Sequence, residues 1–170
     1  MDEKTLRYVK RDRMRFTLNG LSGGLALLAI VFNVFYFVSI YKSDFNFYYS
    51  YDIGVSVLVN LVFMLTVFLC SEGVKNYKMG YAVALVVVGL FEIIRIFGLP
   101  LAAHTTEITQ KIDGVDTTVL VMQNGQFVRV VIYLGIAAAL LITAGVIGII
   151  RSHQLAQHNK QLQANNPTEA

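Results

Sequence analysis

Two residues of opposite charge stand three positions apart inside an apolar stretch: Glu92 and Arg95 in the run GLFEIIRIFGLP. Residues three apart lie on the same face of a helix, so this carboxylate and guanidinium can form an ion pair. A charged side chain at the centre of a bilayer costs about 2.5–3.5 kcal/mol on insertion scales. Pairing lets each charge neutralise the other, so the free-energy cost of inserting the pair is shared between the two residues. We therefore expect both side chains to face the interior of a helix bundle.

Other apolar stretches carry polar residues at a matching depth. Counting 1.5 Å per residue from the midpoint of each stretch places Glu92 roughly 2 Å and Arg95 roughly 7 Å outward of the membrane midplane. The same count places Asn60 roughly 2 Å and Asn33 roughly 6 Å outward, with Tyr133 higher on the same side. The sequence thus predicts one intramembrane polar cluster made of these five residues.

Two hypotheses follow for this cluster. In the functional one, a small cavity open to the outside binds a cation, a proton or a substrate through Glu92. In the structural one, a hydrogen-bonded network fixes the helix register or receives a charged helix from another subunit. Interhelical hydrogen bonds in membranes average about 0.6 kcal/mol, so they specify an arrangement more than they stabilise it. A paired glutamate is also less available as a carrier than a lone one, which favours the structural hypothesis.

The composition requires lipid around the chain. Of its 170 residues, 55% are hydrophobic and 15% are charged, and the mean hydropathy is +0.58. Soluble domains carry about 25% charged residues, and a soluble domain of this size has too little interior to bury so many apolar side chains. The same values exclude a disordered chain, and Cys70 as the only cysteine excludes a disulfide scaffold.

Four stretches are long enough to cross a hydrocarbon core, which takes about 20 apolar residues in a helix. They cover residues 17–40, 53–71, 80–102 and 128–150. They are too long and too uniformly apolar for barrel strands, and a helix satisfies its own backbone groups in lipid. We predict an all-α membrane protein, a bundle of four transmembrane helices. Residues 17–150 form this domain, between a basic segment 1–16 and a polar tail 151–170.

Lysine and arginine set the expected orientation. They are concentrated in segment 1–16, in the loop between the second and third spans, and in the tail. This asymmetry predicts both termini in the cytoplasm and a location in the cell membrane. Each basic residue near an anionic surface contributes about 1 kcal/mol, so we expect the N-terminal ones to contact lipid headgroups rather than nucleic acid. These headgroup ligands are Arg7, Lys10, Arg11, Arg13 and Arg15.

The outer loop 104–127 predicts a small extracytoplasmic β-hairpin. Asp113-Gly114 separates two β-prone runs, 107–112 and 115–122, which is a strong hairpin signal. Asn124-Gly125 predicts a second turn just before the fourth span. Pro100, two residues after Gly98, predicts an end or a bend of the third helix.

Small residues spaced four apart predict close contacts between helices, because they let two backbones approach. On this basis we expect the fourth helix to pack against the first. The candidate packing residues are Gly20, Gly24, Gly135, Ala139, Ala144 and Gly148.

Motifs for catalysis are missing from the sequence. The three histidines lie outside the predicted spans, so paired haem ligands are lacking, and one cysteine cannot run a dithiol relay. There is no H-E-x-x-H, G-x-S-x-G or phosphate-binding glycine loop. We expect no enzymatic activity, no cofactor and no metal.

The leading functional hypothesis is an accessory subunit of a membrane complex, present as a homo- or hetero-oligomer with other membrane subunits. The alternative is a small transporter or ion-coupled carrier that uses Glu92 as its binding carboxylate. A third option is a lipid- or envelope-sensing protein that uses the basic N-terminal segment and the aromatic first outer loop, which contains Phe45, Phe47, Tyr48, Tyr49 and Tyr51.

Overall fold

The fold consists of four long helices and a short hairpin. The computed structural model describes residues 19–40, 47–112 and 115–165. Its elements in chain order are α1 (Gly20–Ile40), α2 (Phe47–Lys75), α3 (Met79–Ile96), α4 (Leu99–Thr105), β1 (Glu107–Ile112), β2 (Val115–Leu120) and α5 (Asn124–Asn165). The basic segment 1–16, with its predicted headgroup ligands, lies outside the described residues.

Four helical stretches in this part of the chain are long and apolar enough to cross a membrane. They are Gly20–Ile40, Gly54–Lys75, Met79–Thr105 and Asn124–Gln161. Their outward faces carry large apolar side chains: Leu58 and Val62 are each 65% exposed and Ile94 is 63% exposed. A surface of this kind suits acyl chains and not water. The prediction of four apolar helices and a two-stranded hairpin is confirmed.

Helix α5 is the central packing element. It contacts α3 most extensively and α1 nearly as much, while α2 packs on α1 and more lightly on α3. The interior is built largely from small side chains, with Ala26, Ala82 and Ala137 fully buried. Small side chains allow the close backbone approach on which helix association in lipid depends.

Glycines mark the closest approach, between α3 and α5. A Cβ at Gly145 would lie 2.7 Å from the carbonyl oxygen of Ala82 and 2.5 Å from Cγ2 of Val86. A Cβ at Gly89 would lie 2.8 Å from Cγ1 of Ile142. At both positions only a hydrogen fits in place of a side chain.

The six predicted packing residues divide into two groups. Ala144 is buried and accepts a hydrogen bond on its carbonyl from the Ser22 hydroxyl, and a Cβ at Gly148 would lie 2.8 Å from Cβ of Ala82. The other four face open space or the exterior: Gly20, Gly24, Gly135 and Ala139.

Spacing alone could not separate these two groups. A four-residue interval identifies a helix face but not which of several faces is turned inward. The structure turns Gly23 inward on α1 instead, where a Cβ would lie 2.7 Å from Cγ of Lys75.

The third span breaks where the Gly98–Pro100 pair predicts. Helix α3 ends at Ile96, and α4 begins at Leu99 with Pro100 in its first turn. Proline has no N–H to donate, so it fits the first turn of a helix and not its interior.

The hairpin follows α4 directly. Strands β1 and β2 are antiparallel, with Glu107 opposite Leu120 and Ile112 opposite Val115. The connecting residues 113 and 114 lie outside the described part of the chain. Backbone hydrogen bonds from Val121 to Thr106 and from Met122 to Ala103 join the hairpin base to α4.

The predicted second turn at Asn124-Gly125 is replaced by the start of α5. The carbonyl of Gln123 accepts hydrogen bonds from the backbone N–H groups of Gln126 and Phe127, which is the bonding of a first helical turn. Asparagine and glycine favour helix N-termini as well as turns, so the dipeptide was ambiguous. The helix continues past the apolar span, which ends at residue 150, as far as Asn165, and so the polar tail extends the fourth helix as its sequence predicts.

Replacing Gly145 by alanine tests the α3–α5 contact. Overpacking a close contact costs about 1–3 kcal/mol, so we expect Gly145→Ala to lower the midpoint of thermal unfolding in detergent, followed by circular dichroism. Gly54→Ala on α2 is the matched control, because a Cβ there meets nothing within 4 Å. That variant should be neutral or slightly stabilising, since alanine favours helix over glycine. Equal midpoints for both variants would contradict the packing described.

Candidate functional site

Glu92 lies at the centre of the only ion pair buried within the described helices. Its side chain is 0% exposed. Oε1 accepts a hydrogen bond from Nδ2 of Asn33 at 2.6 Å and one from Nη1 of Arg95 at 2.9 Å. A buried carboxylate without such partners would be very costly, so these two contacts make its position tenable.

Arg95 extends the contacts to a third helix. Its Nη1 lies 3.3 Å from Oδ1 of Asn33 and 3.3 Å from Oδ1 of Asn60, and its Nη2 lies 3.3 Å from the same Asn60 oxygen. The arginine side chain is 9% exposed. Asn33, Asn60 and the ion pair therefore join α1, α2 and α3 in one arrangement, which we call the polar network.

Two aromatic rings enclose the guanidinium. Its central carbon lies 4.8 Å from the ring centroid of Tyr36 and 5.5 Å from that of Phe63. A cation over an aromatic face is stabilised by about 0.5–2 kcal/mol, with the larger values in sites without water. The rings thus replace part of the hydration that Arg95 gives up.

Tyr36 and Phe63 are not in the predicted polar cluster, although their spacing in the sequence indicates this position. Tyr36 follows Asn33 by three residues on α1, and Phe63 follows Asn60 by three on α2. Residues three apart share a helix face. Any face that presents an asparagine to Arg95 therefore presents the aromatic residue one turn further on.

Tyr133 was placed in the cluster by depth, and the structure puts it elsewhere. Its ring lies 5.8 Å from the ring of Phe35, and the side chain is half-buried beside the apolar group that includes Tyr36 and Leu134. Helix α5 faces α1 and α3 mainly with small and apolar side chains. Depth alone does not determine which face of a helix a residue occupies.

One carboxylate oxygen of the network makes no hydrogen bond to the described residues. Oε2 of Glu92 is buried and has no hydrogen-bond partner among the described residues. An unsatisfied buried acceptor costs about 1–3 kcal/mol, and such atoms in native structures usually have a reason. A proton, a small cation or a water molecule is the kind of species that this oxygen can hold.

Arg95 also lines a cavity of about 380 Å³. Tyr36, Ser56 and Arg95 are its polar lining residues, and Val55 and Val59 of α2 and the α3–α4 junction complete its walls. Glu92 is not among the lining residues. The cavity therefore gives access to the arginine of the ion pair and not to the carboxylate.

Metal ligands do not cluster in the described helices and strands. No group of three or more histidine, cysteine, aspartate or glutamate residues there could hold a metal ion. Cys70 is a free, buried thiol on α2. His104, at the end of α4, stacks on Phe127 at 4.4 Å, and its Nδ1 lies 3.3 Å from the carbonyl oxygen of Met122.

Comparison of the chain with protein-family profiles, curated protein sequences and solved structures finds no match.

Proposed function

We propose that the chain is a non-enzymatic subunit of the cell membrane that associates with copies of itself or with a larger membrane complex. The observation that carries this proposal is the complete burial of Glu92 with its charge balanced by Arg95. A carboxylate that is paired within its own bundle holds the surrounding helices in a fixed arrangement. It fixes how α1, α2 and α3 meet, and the outer faces of the helices remain available for association.

The energetics support this role over carriage. Removing one partner of a buried ion pair costs about 3–5 kcal/mol, because the remaining charge is left uncompensated. A carrier that released Glu92 from Arg95 in every cycle would meet this cost each time. The network is better suited to a fixed arrangement than to a moving one.

The exterior offers surfaces for helix association. On α1, Gly20 and Gly24 have open space where a side chain would stand, and Gly135 and the exposed Ala139 are placed similarly on α5. Small residues four apart on a lipid-facing surface let a second helix approach closely. The predicted small-residue motifs that do not pack inside the bundle thus become candidates for contacts outside it.

The proposed orientation has both termini in the cytoplasm and the hairpin on the opposite face. Lys75 and Lys78 lie at the α2–α3 connection, and Arg151 and Lys160 follow the apolar part of α5. The backbone N–H of Asn19 bonds the carbonyl of Lys75, which places the start of α1 at that same end. Basic residues accumulate on the cytoplasmic side of membrane proteins.

The size of the solubilised particle tests the proposed association. Extracted in a mild detergent, the protein should run larger than one 18.9 kDa chain with its micelle. Light scattering coupled to size exclusion separates the protein mass from the detergent mass. A strictly monomeric particle without a co-purifying partner would contradict the proposal.

A second function, that of a small proton- or ion-coupled carrier, is favoured by one specific observation. Oε2 of Glu92 lacks a partner among the described residues and can hold a proton or a cation. In this alternative, loading of Oε2 weakens the pull of Glu92 on Arg95 and loosens the network.

Replacing Glu92 by glutamine separates the two functions. A carrier loses proton coupling in reconstituted vesicles, measured with a pH-sensitive dye trapped inside, while its helical content and unfolding midpoint stay close to those of the parent. A structural subunit shows no coupling to lose and unfolds at a lower temperature. Glu72→Gln is the matched control, because Glu72 is half exposed and pairs only with Lys75 on its own helix. That control should change neither readout.

A further inference from the structure

We propose that the cavity beside Arg95 binds the acidic headgroup of an amphiphile, a carboxylate or phosphate attached to an acyl chain, taken from the surrounding lipid. This inference is independent of the proposed subunit function and concerns a different side of the network. The cavity is defined by Tyr36, Val55, Ser56, Val59, Arg95 and Ala102, and its volume is about 380 Å³.

Two of the polar residues of the cavity, Tyr36 and Arg95, are buried side chains and not mobile surface groups. Tyr36 is 1% exposed and Arg95 is 9% exposed at its side chain, so both are held in place by the bundle. Tyr36 on α1 and Ser56 on α2 both line the cavity, so each brings a hydroxyl group to it. A fixed cation flanked by two hydroxyls is a suitable receptor for an oxyanion.

Arg95 retains capacity to donate. A guanidinium has five N–H donors. Its shortest contact, at 2.9 Å, goes to Glu92, and the three contacts with Asn33 and Asn60 are all 3.3 Å. A separation of 3.3 Å lies beyond the usual 2.9–3.0 Å of a good N–H···O bond, so these contacts do not saturate the donors of the guanidinium. Carboxylate and phosphate groups present paired oxygens that fit the remaining donor edge.

The walls select an amphiphile over a free ion. Val55 is 45% exposed and Val59 is 38% exposed along α2, and Leu99 and Ala102 lie opposite on α4. The mouth therefore opens between two apolar helix faces at the level of the membrane. A volume near 380 Å³ holds a headgroup and the first few carbons, and the rest of an acyl chain would extend along the exposed valines.

A second cavity differs from the Arg95 cavity in having no charged lining residue. It measures about 410 Å³ and lies between α2 and α3, where Leu58, Val62, Thr66 and Phe91 line it. No charged side chain faces that cavity, so nothing in it distinguishes one headgroup from another. The cavity at Arg95, in contrast, joins apolar walls to a buried positive charge.

Native mass spectrometry of the full chain in detergent tests the proposal, with four probes titrated separately. The probes are oleate, phosphatidylglycerol, phosphatidylcholine and inorganic phosphate. The variant is Ala102→Phe, which fills the mouth of the cavity without touching Arg95, and Val59→Phe fills it from α2 should the first variant fail to fold. Val146→Phe is the matched control, since Val146 is exposed on α5 and does not line the cavity.

The parent should retain oleate or phosphatidylglycerol in preference to phosphatidylcholine. Filling the mouth should weaken this binding by about tenfold or more, equivalent to about 1.4 kcal/mol, while Val146→Phe leaves it unchanged. Equal retention of phosphatidylcholine and phosphatidylglycerol would overturn the acidic headgroup. Binding of inorganic phosphate as tightly as of either amphiphile would overturn the acyl chain. Binding unaffected by either cavity-filling variant would overturn the site.

Discussion

The structure depends on one constraint: a carboxylate and a guanidinium sit on the same helix in a medium without water. Neither can find a partner among acyl chains, so both turn inward and pair with groups of the bundle. The pair alone leaves donors and acceptors unmatched. Asn33 supplies both a donor to Glu92 and an acceptor to Arg95, and Asn60 supplies a further acceptor. Once three helices contribute to one pair of charges, their rotation and depth relative to one another are fixed.

Apolar packing completes what the polar network begins. Helix α5 takes no hydrogen-bonding part in the network and is held by close backbone contact, where Gly89 and Gly145 allow α3 and α5 to approach. These glycine contacts determine where α3 and α5 meet, because only a hydrogen fits at either position. The hydrogen bonds to the buried charges align α1, α2 and α3 in the same way.

The sequence predicted the elements well and their faces poorly. Four apolar stretches and the Asp113-Gly114 signal indicated the helices and the hairpin, because length and turn chemistry are local properties. The depth count placed Asn33 and Asn60 level with the ion pair, and both contact Arg95. Tyr133 passed the same count and lies apart from the pair, because depth does not specify rotation about a helix axis. Gly20 and Gly24 show the same difficulty: their spacing is that of packing residues, yet they face outward.

The network also presents two distinct groups to a ligand. Oε2 of Glu92 is enclosed and has no partner among the described residues, while Arg95 lines a cavity between α2 and α4. A cation or proton would act at the first, and an acidic headgroup at the second. Either occupant would alter the balance between Glu92 and Arg95, so the ion pair is the point through which any ligand would influence the helix arrangement.

A double-mutant cycle on Glu92 and Arg95 tests the central claim most directly. Unfolding free energies would be measured in mixed micelles for Glu92→Leu, Arg95→Met and the two together. If the charges compensate one another inside the bundle, each single variant loses about 3–5 kcal/mol and the double variant regains a large part of it. Small and additive losses would show that the two side chains do not depend on one another, and would contradict the account.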